Sequence, residues 1–425
     1  MQTSRRVQKL GLVDALPQML RWNAALAVAL LPIGVLVTRI TWVQPFIMVC
    51  DLAALLAVLL GVAQMFTRTM PRSPLFVAGL IFIGGQLVSY LVHPDLLGMI
   101  RILRTFGILV IAETLASLAP ELRAKFEKGI VAVGVFEVLL TVGHRILGRA
   151  IAPGIIEFGS NVVARENASI SVGSLQHQYV LAGLGLLVGA VSVLGLIRST
   201  LPPLWAFAGI GTCAYLAVQS VGRAAFLGVA ALAFTLIVGL FVRPTIRRNL
   251  LLGFLVIAAG SAIGYGITRN GWETRSASAT ITKDAGRPAM YKQAFGLWKS
   301  SPVVGVGTGR YNVALLGEPT LIKLTNEFLP VHNVPLHLAA ETGILGLGAV
   351  LGFALLLWKR LLSLGLLVVM PAAAIAPFII FDVFHWVIPT GILQLGVFVG
   401  MLTYRESGLG TNLEESQACA KAVAA

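Results

Sequence analysis

Apolar runs dominate the pattern of residues along this chain. They recur over almost the whole length, and each is long enough, at about 18 residues or more, to cross a hydrocarbon core of about 30 Å as a helix. A closed barrel would instead show alternating polar and apolar positions in segments of roughly ten residues. The pattern predicts an all-α integral membrane protein with about 12 transmembrane helices. These spans are predicted at residues 23–40, 42–66, 74–92, 96–118, 129–147, 177–197, 203–221, 224–242, 250–268, 338–357, 361–381 and 387–403.

The composition excludes a soluble globular protein. Of the 425 residues, 57% are hydrophobic and only 12% are charged, whereas soluble domains carry about 25% charged residues. The three cysteines, Cys50, Cys213 and Cys419, lie far apart and form no C-x-x-C motif, so they predict neither a disulfide framework nor a thiolate metal site. We expect no metal, no other cofactor and no nucleic-acid partner.

Basic residues set the predicted orientation in the membrane. Lysine and arginine concentrate near the N-terminus and in the links that follow every second span, for example at Arg68 and Arg72 and at Arg247 and Arg248. By the positive-inside rule these segments and both termini are cytoplasmic. The chain then divides into transmembrane helices one to nine at residues 1–268, a large periplasmic loop at 269–337, helices ten to twelve at 338–403, and a cytoplasmic tail at 404–425.

The large periplasmic loop is basic and contains a predicted helix. It carries more lysine and arginine than aspartate and glutamate, and a cationic surface beside the membrane favours an anionic partner such as a phosphate-bearing lipid or carrier. A general attraction to lipid headgroups is the alternative. Residues 289–298 have apolar side chains at helical spacing, which predicts an amphipathic helix lying on the bilayer surface. The loop is therefore expected to be partly helical.

The densest group of candidate residues lies where this loop meets the tenth span. His332 is flanked by prolines at the predicted start of a helix, where an imidazole can accept a proton from a hydroxyl. Asn333 is placed to orient the imidazole or an incoming group. A structural hydrogen-bonding role is the alternative for the histidine. Three glycines, at 343, 346 and 348, predict a thin helix face that another helix can approach closely.

Three motifs carry a family resemblance. The pattern H-N-x9-G-x-x-G, which starts at His332, resembles the signature of the O-antigen ligase and polymerase superfamily. The segment S-V-G-R-A-A-F-L, with Arg223, is similar to a family segment that has an arginine at the outer end of a helix. The segment G-R-P-A-M-Y-K-Q-A-F, with Arg287, and the following S-P-V-V-G-V-G-T-G-R resemble the family's loop pattern.

The resemblance implies a metal-independent, inverting glycosyltransferase of the GT-C type. Such an enzyme takes glycan from undecaprenyl diphosphate at the periplasmic face of the bacterial inner membrane, among membrane lipids, and the ligase branch delivers it to a sugar hydroxyl of the lipid A core. In this chain His332 would be the general base. Arg223 and Arg287 would clamp the leaving diphosphate, since guanidinium groups bind phosphate oxygens through bidentate, charge-assisted hydrogen bonds.

Five further residues are candidates for binding the substrates. Asn333 and His337 lie next to the candidate base or one turn beyond it, although His337 serves equally well in packing. Arg101 and Arg104 share one face of the fourth span, where buried cations are costly and usually functional. Arg310 ends the turn G-V-G-T-G-R, which either presents backbone N–H groups to a phosphate or is a flexible turn.

The two arginines of the fourth span have an alternative explanation. They would be structural if they paired with carboxylates of other spans, for which Asp51, Glu113 and Glu137 are the candidates.

Other functions also remain open from the sequence. An O-antigen polymerase and a protein O-oligosaccharyltransferase share the fold and the donor with the ligase and differ in acceptor. A polytopic transporter is a more distant alternative, for which paired broken helices and charges near the midplane would be expected.

Overall fold

The computed structural model describes most of the chain. The described residues are 2–33, 36–39, 46–71, 73–147, 175, 178–220, 222–278, 286–322, 330–381, 386 and 388–403. In the first third of the chain the elements are helix α1 (Gln2–Leu30), strands β1 (Leu36–Arg39) and β2 (Phe46–Met48), and helices α2 (Asp51–Thr67), α3 (Pro74–Val92), α4 (Leu96–Ala116) and α5 (Pro120–Leu147). The two strands form one short antiparallel hairpin.

The later elements are all helical in the described residues. They are α6 (Gln178–Arg198), α7 (Pro203–Gln219), α8 (Arg223–Val242), a 3-10 turn (Pro244–Ile246), α9 (Arg247–Ser278), α10 (Gly286–Ser300), α11 (Tyr311–Leu316), α12 (Pro319–Ile322), α13 (Val334–Ser363), α14 (Leu366–Ala373), α15 (Ala376–Phe381) and α16 (Pro389–Leu402). The predicted helical fold class is therefore confirmed. The GT-C type stays a prediction.

Several helices are suited to a membrane. Five segments of the described residues are long and apolar enough to cross one, namely Pro74–Val92, Tyr179–Arg198, Arg223–Val242, Pro244–Arg269 and Val334–Ser363. Two shorter apolar helices, α2 and α16, accompany them. A chain built in this way is a membrane protein, whereas the predicted number of twelve spans stays a prediction.

Helix α6 forms the centre of the bundle. Its side chains are apolar on all sides, and every residue of its most apolar window is buried, as expected for a helix with no polar face. It packs against α5, α7, α8, α14 and α16. On another side of the molecule α2 and α16 pack against α4, and α3 packs against α13. These last contacts bring α4 and α13, which carry candidate residues, into the same part of the bundle.

Three predicted spans differ from the helices observed. The span predicted at 42–66 begins late, because residues 46–48 form strand β2 and α2 begins only at Asp51. The span predicted at 23–40 ends early, because α1 stops at Leu30 and residues 36–39 form a strand. Pro32 lies at this point, and a proline cannot continue the helical hydrogen-bond ladder. The span predicted at 361–381 is divided between the end of α13, α14 and α15. Gly365 has a φ of 100°, a conformation that ends α13 and starts a new helix.

The amphipathic helix predicted at 289–298 is present as α10. Met290, Ala294 and Leu297 are buried in a second core, where they pack with Tyr311 and Leu315. The apolar stripe that predicted a helix on the bilayer surface therefore faces protein. Other side chains of the same helix are exposed, so only part of the helix lies at the surface of the protein.

Candidate functional site

His332 lies between two anchored neighbours just before α13. Val331 is fully buried in the second core together with Tyr311. On the other side Asn333 caps α13, because its Oδ1 accepts a hydrogen bond from the backbone N–H of Leu336 at 2.8 Å. The Asn333 amide also donates to the carbonyl of Ile380 at 3.1 Å. His332 itself is half-buried, so its backbone lies between two fixed neighbours while its side chain is partly exposed.

Helix α13 is broken about two and a half turns after its start, at Gly343. This residue has φ 63° and ψ −163°, which is not a helical conformation. The two N–H groups that follow it donate to a different segment of the chain. Ile344 donates to the carbonyl of Pro302 at 2.9 Å, and Leu345 donates to that of Val303 at 3.4 Å. The turn at residues 302–307 thus takes the place of the preceding helical turn as their acceptor.

The same turn also satisfies the carbonyl groups on the other side of the break. The N–H of Val306 donates to Ala340 at 2.9 Å, and that of Gly307 donates to Glu341 at 3.0 Å. In an uninterrupted helix these carbonyls would accept from the residues four positions later. The break therefore leaves none of these four backbone groups without a partner, since the turn is inserted into the helical ladder.

Two glycines make this insertion possible. A Cβ atom at Gly343 would overlap the carbonyl of Val303, and one at Gly305 would overlap that of Glu341. Both glycines have a positive φ, which a side chain disfavours. The H-N-x9-G-x-x-G motif and the P-x-x-G-x-G turn, which are about 30 residues apart in the sequence, therefore meet at the break in α13. We call this break, with the turn inserted into it, the joint.

The insertion bears on the two interpretations of the turn. The N–H groups of Gly305, Val306 and Gly307 all donate to backbone carbonyls, so these three are not available to a phosphate. Phosphate binding by the rest of the turn stays a prediction. The prediction that the glycines of α13 allow close helix packing holds in part. Gly346 lies against Gly85 of α3, whereas Gly348 faces open space.

A buried ionic cluster surrounds the joint. Glu341 is 2% exposed, and its carboxylate lies 3.2 Å from Nε2 of His337 and 3.6 Å from Nη1 of Arg101. The His337 ring packs on the ring of Tyr311 at 4.8 Å between centroids. The Arg101 guanidinium lies over the ring of Trp386, 5.6 Å from its centroid. Burial, with the charge of Glu341 adding to its effect, raises the pKa of Tyr311, so this phenol stays protonated at neutral pH.

Glu341 is a residue that the sequence analysis did not select. The signal was present, because a carboxylate within an apolar span is expensive and usually has a partner. It also follows His337 by four residues, which places the two side chains on one helix face.

The two arginines of α4 are both engaged inside the protein. Arg104 makes a two-point ion pair with Asp51, with its Nε at 2.6 Å and its Nη2 at 2.9 Å from the carboxylate, as the alternative interpretation expected. Arg101 is also paired, but with Glu341 rather than with any of the three predicted carboxylates. Direct binding of a substrate by either arginine stays a prediction, and it would require a guanidinium to leave or share its partner.

Arg310 is paired as well. Its Nε lies 3.1 Å from Oδ2 of Asp95, and both side chains remain partly exposed. Asp95 also caps α4 through a hydrogen bond from the N–H of Gly98 at 2.7 Å. Two residues before Arg310, the Thr308 hydroxyl donates to the carbonyl of Gln86. The turn is thereby attached to the corner between α3 and α4, and a role for Arg310 in binding substrate stays a prediction.

The two remaining candidate arginines lie in the first turns of helices. Arg223 begins α8 and is exposed, whereas Arg287 is the second residue of α10 and is half-buried. That these two side chains converge on His332 stays a prediction.

A comparison with protein families matches part of this chain. Residues 207–351, from α7 to α13, match the family described as O-antigen ligase. No curated protein matches the chain. The matched segment contains Arg223, Arg287 and His332 together with both glycine motifs of the joint. Residues 207–351 are therefore similar to the O-antigen ligase family, and the resemblance predicted from the motifs in this segment is confirmed.

Proposed function

We propose that this protein is an O-antigen ligase of the bacterial inner membrane. It would transfer a glycan from undecaprenyl diphosphate to a sugar hydroxyl of the lipid A core. The observation that carries the proposal is the family match over residues 207–351, because it includes every residue to which we assign chemistry. The termini would be cytoplasmic, and the loop at 269–337 would cover a periplasmic active site.

The proposed reaction is a single displacement. The acceptor hydroxyl oxygen attacks the anomeric carbon of the donor, the bond from that carbon to the diphosphate oxygen breaks, and the configuration is inverted. His332 takes the hydroxyl proton, and the undecaprenyl diphosphate departs with the bonding electron pair. The half-buried position of His332 between anchored residues supports this role, because a base acts efficiently only when it is held in place.

Arg223 and Arg287 would stabilise the negative charge that develops on the leaving diphosphate. Their positions at helix starts support this role. A helix N-terminus carries partial positive charge, so a cation there does not stabilise the helix. An anion bound at the same place would be attracted both by the guanidinium and by the helix end.

The break at Gly343 bears on the transporter alternative. Broken helices of transporters use freed backbone carbonyls to bind ions. Here the carbonyls of Ala340 and Glu341 accept hydrogen bonds from the inserted turn. This break therefore supports a rigid scaffold better than an ion site.

The function is tested with purified protein, a polyprenyl-diphosphate glycan and either lipid A core or unmodified carrier glycan as acceptor. We expect elongation of the core lipid only. Elongation of the carrier glycan would instead indicate a polymerase, and glycan transfer to a protein would indicate an O-oligosaccharyltransferase.

The assigned residues are tested in the same assay. We expect His332→Ala to lower the transfer rate by about 10²- to 10⁴-fold, and Arg223→Ala and Arg287→Ala by about 10²-fold each or more. Arg243→Ala is the matched control, since Arg243 is an exposed arginine at the other end of α8, and it should transfer glycan at the wild-type rate. Full transfer by the His332 variant would remove the proposed base.

A further inference from the structure

Glu341 connects three separate parts of the chain. Its carboxylate lies within ion-pair distance of Arg101 on α4 and of His337 one turn earlier on α13. The backbone N–H of Tyr311, at the start of α11, also points to it at 3.4 Å. One buried carboxylate thus joins a membrane helix, the helix that follows His332 and the end of the inserted turn.

The backbone of Glu341 makes two more connections. Its carbonyl accepts a hydrogen bond from the Ser89 hydroxyl at 2.8 Å and another from the N–H of Gly307 at 3.0 Å. The Gly307 bond lies at the break, where Leu345, the usual donor to this carbonyl, donates to Val303 instead. Helix α3 and the turn are therefore attached to the same residue.

The three side chains of this ionic cluster are all buried. Arg101 is 5% exposed and His337 and Glu341 are 2% exposed. Removing one member of such a group leaves an uncompensated charge or polar atom in the interior, which is strongly unfavourable. The three side chains are consequently held to one arrangement, and the backbone segments that carry them are held with it.

The connection extends to the candidate base. The N–H of His337 donates to the carbonyl of Asn333 at 2.9 Å in the first turn of α13. On the other side of His332, Val331 is buried in the core that contains Tyr311 and Ala340. Both neighbours of His332 are therefore fixed by residues that contact Glu341 or adjoin it.

We propose that Glu341 is a positioning residue for His332: together with Arg101 and His337, it locks the first turn of α13 to the inserted turn and so holds the imidazole where the acceptor hydroxyl arrives. This role rests on the proposed function. Glu341 does not itself touch the substrate, and its effect is on the rate of the chemical step and not on donor binding.

The kinetic test compares two buried carboxylates. Glu341→Gln keeps the size of the side chain and removes its charge. Glu127→Gln is the matched control, since Glu127 is 1% exposed and pairs with Arg123 at 2.9 Å within α5. We expect Glu341→Gln to lower kcat by about 10- to 100-fold while the KM for the donor changes less than about threefold, as for a misplaced catalytic group. Glu127→Gln should lower thermal stability but leave kcat within about twofold.

A double substitution distinguishes positioning from general destabilisation. Arg101→Gln alone should lower kcat as Glu341→Gln does, and the pair Arg101→Gln/Glu341→Gln should lower it by clearly less than the product of the single effects, because both act through the same contact. Multiplicative effects would overturn the proposal, as would a wild-type kcat in folded Glu341→Gln protein.

A second measurement needs no substrate. We expect hydrogen exchange of the amides at residues 303–310 and 331–337 to be faster in Glu341→Gln than in the wild type, and unchanged in Glu127→Gln. Unchanged exchange in both variants would overturn the positioning role. Faster exchange in Glu341→Gln, combined with a wild-type protein that transfers no glycan, would overturn the proposed function and leave the structural lock in place. If Glu341→Gln does not fold, Glu341→Asp, which retracts the charge by one methylene, is measured in both assays with the same expectations.

Discussion

At the scale of single residues, Gly343 has the strictest requirement. Its φ of 63° with ψ of −163° lies in a region that is essentially reserved for glycine, at a cost of about 1–3 kcal/mol for other residues. A Cβ there would also overlap the carbonyl of Val303. We therefore expect Gly343→Ala to lower the thermal unfolding temperature in detergent markedly.

The control for this substitution lies in the same helix. A Cβ at Gly348 meets open space, and alanine favours a helix over glycine by about 1 kcal/mol. Gly348→Ala should therefore leave the unfolding temperature unchanged or raise it slightly. Equal losses in the two variants would show that the left-handed conformation at Gly343 is not what the chain depends on.

The Arg104–Asp51 pair gives a second prediction at this scale. Breaking a buried ion pair on one side costs about 3–5 kcal/mol, because the other charge stays in the interior. We expect Arg104→Met to reduce the fraction of protein that remains monodisperse on heating in detergent, and Asp51→Asn/Arg104→Met to recover most of it. The structural role would be contradicted by an Arg104→Met protein of wild-type stability with a raised donor KM, which would indicate substrate binding.

The residues of the joint show what the sequence alone can reveal. The place of His332 and Asn333 at a helix start followed from Pro330 and Pro335, since prolines near a helix N-terminus are a local signal. The partner of Arg101 did not follow, because a pair between α4 and α13 joins residues 240 positions apart and depends on the packing of the bundle.

At the scale of elements, α10 shows that a pattern can predict a helix correctly without revealing what its apolar face packs against. Its apolar stripe predicted the helix itself, since the helical period is local information. The pattern carries no information on whether the stripe meets lipid or protein. In the structure it meets α11 and α13, so the helix is part of a small core of its own.

This packing predicts different effects on the two faces of α10. Leu297 is 1% exposed, and its truncation to alanine should cost about 2–5 kcal/mol. Phe295 is 43% exposed. We expect trypsin to cleave Leu297→Ala faster than the wild type after Lys292 or Lys299, and Phe295→Ala at the wild-type rate, because cleavage requires local unfolding. A larger effect of Phe295→Ala would indicate that the helix is held by lipid on its exposed side.

The boundaries of elements were the least predictable part of the fold. Hydropathy continues through Leu364 and Gly365, so that a single span was predicted at 361–381. The division there depends on the left-handed conformation of Gly365, and a glycine inside an apolar run does not by itself reveal its φ.

At the scale of the whole molecule, the basic residues predict which side of the membrane each loop faces. The segment Pro244–Arg269 is long enough to cross a membrane once, so the link between α8 and α9 and the loop with α10 to α12 should lie on opposite sides. Thr245 and Thr320 are exposed residues in these two segments. We expect a membrane-impermeant maleimide to label Thr320→Cys in intact cells, and Thr245→Cys only after the inner membrane is opened.

The labelling experiment is done with Cys419 replaced by serine, while Cys50 and Cys213 remain because they are buried. The basic cluster around Thr245 predicts by the positive-inside rule that this side is cytoplasmic. His332 lies at the end of the loop that contains Thr320, immediately before the next membrane-spanning segment, so both belong to the same side. Labelling of Thr245→Cys in intact cells, with Thr320→Cys protected, would place His332 in the cytoplasm. A periplasmic transfer of glycan to lipid A core would then be impossible at this residue, whatever the activity of the variants.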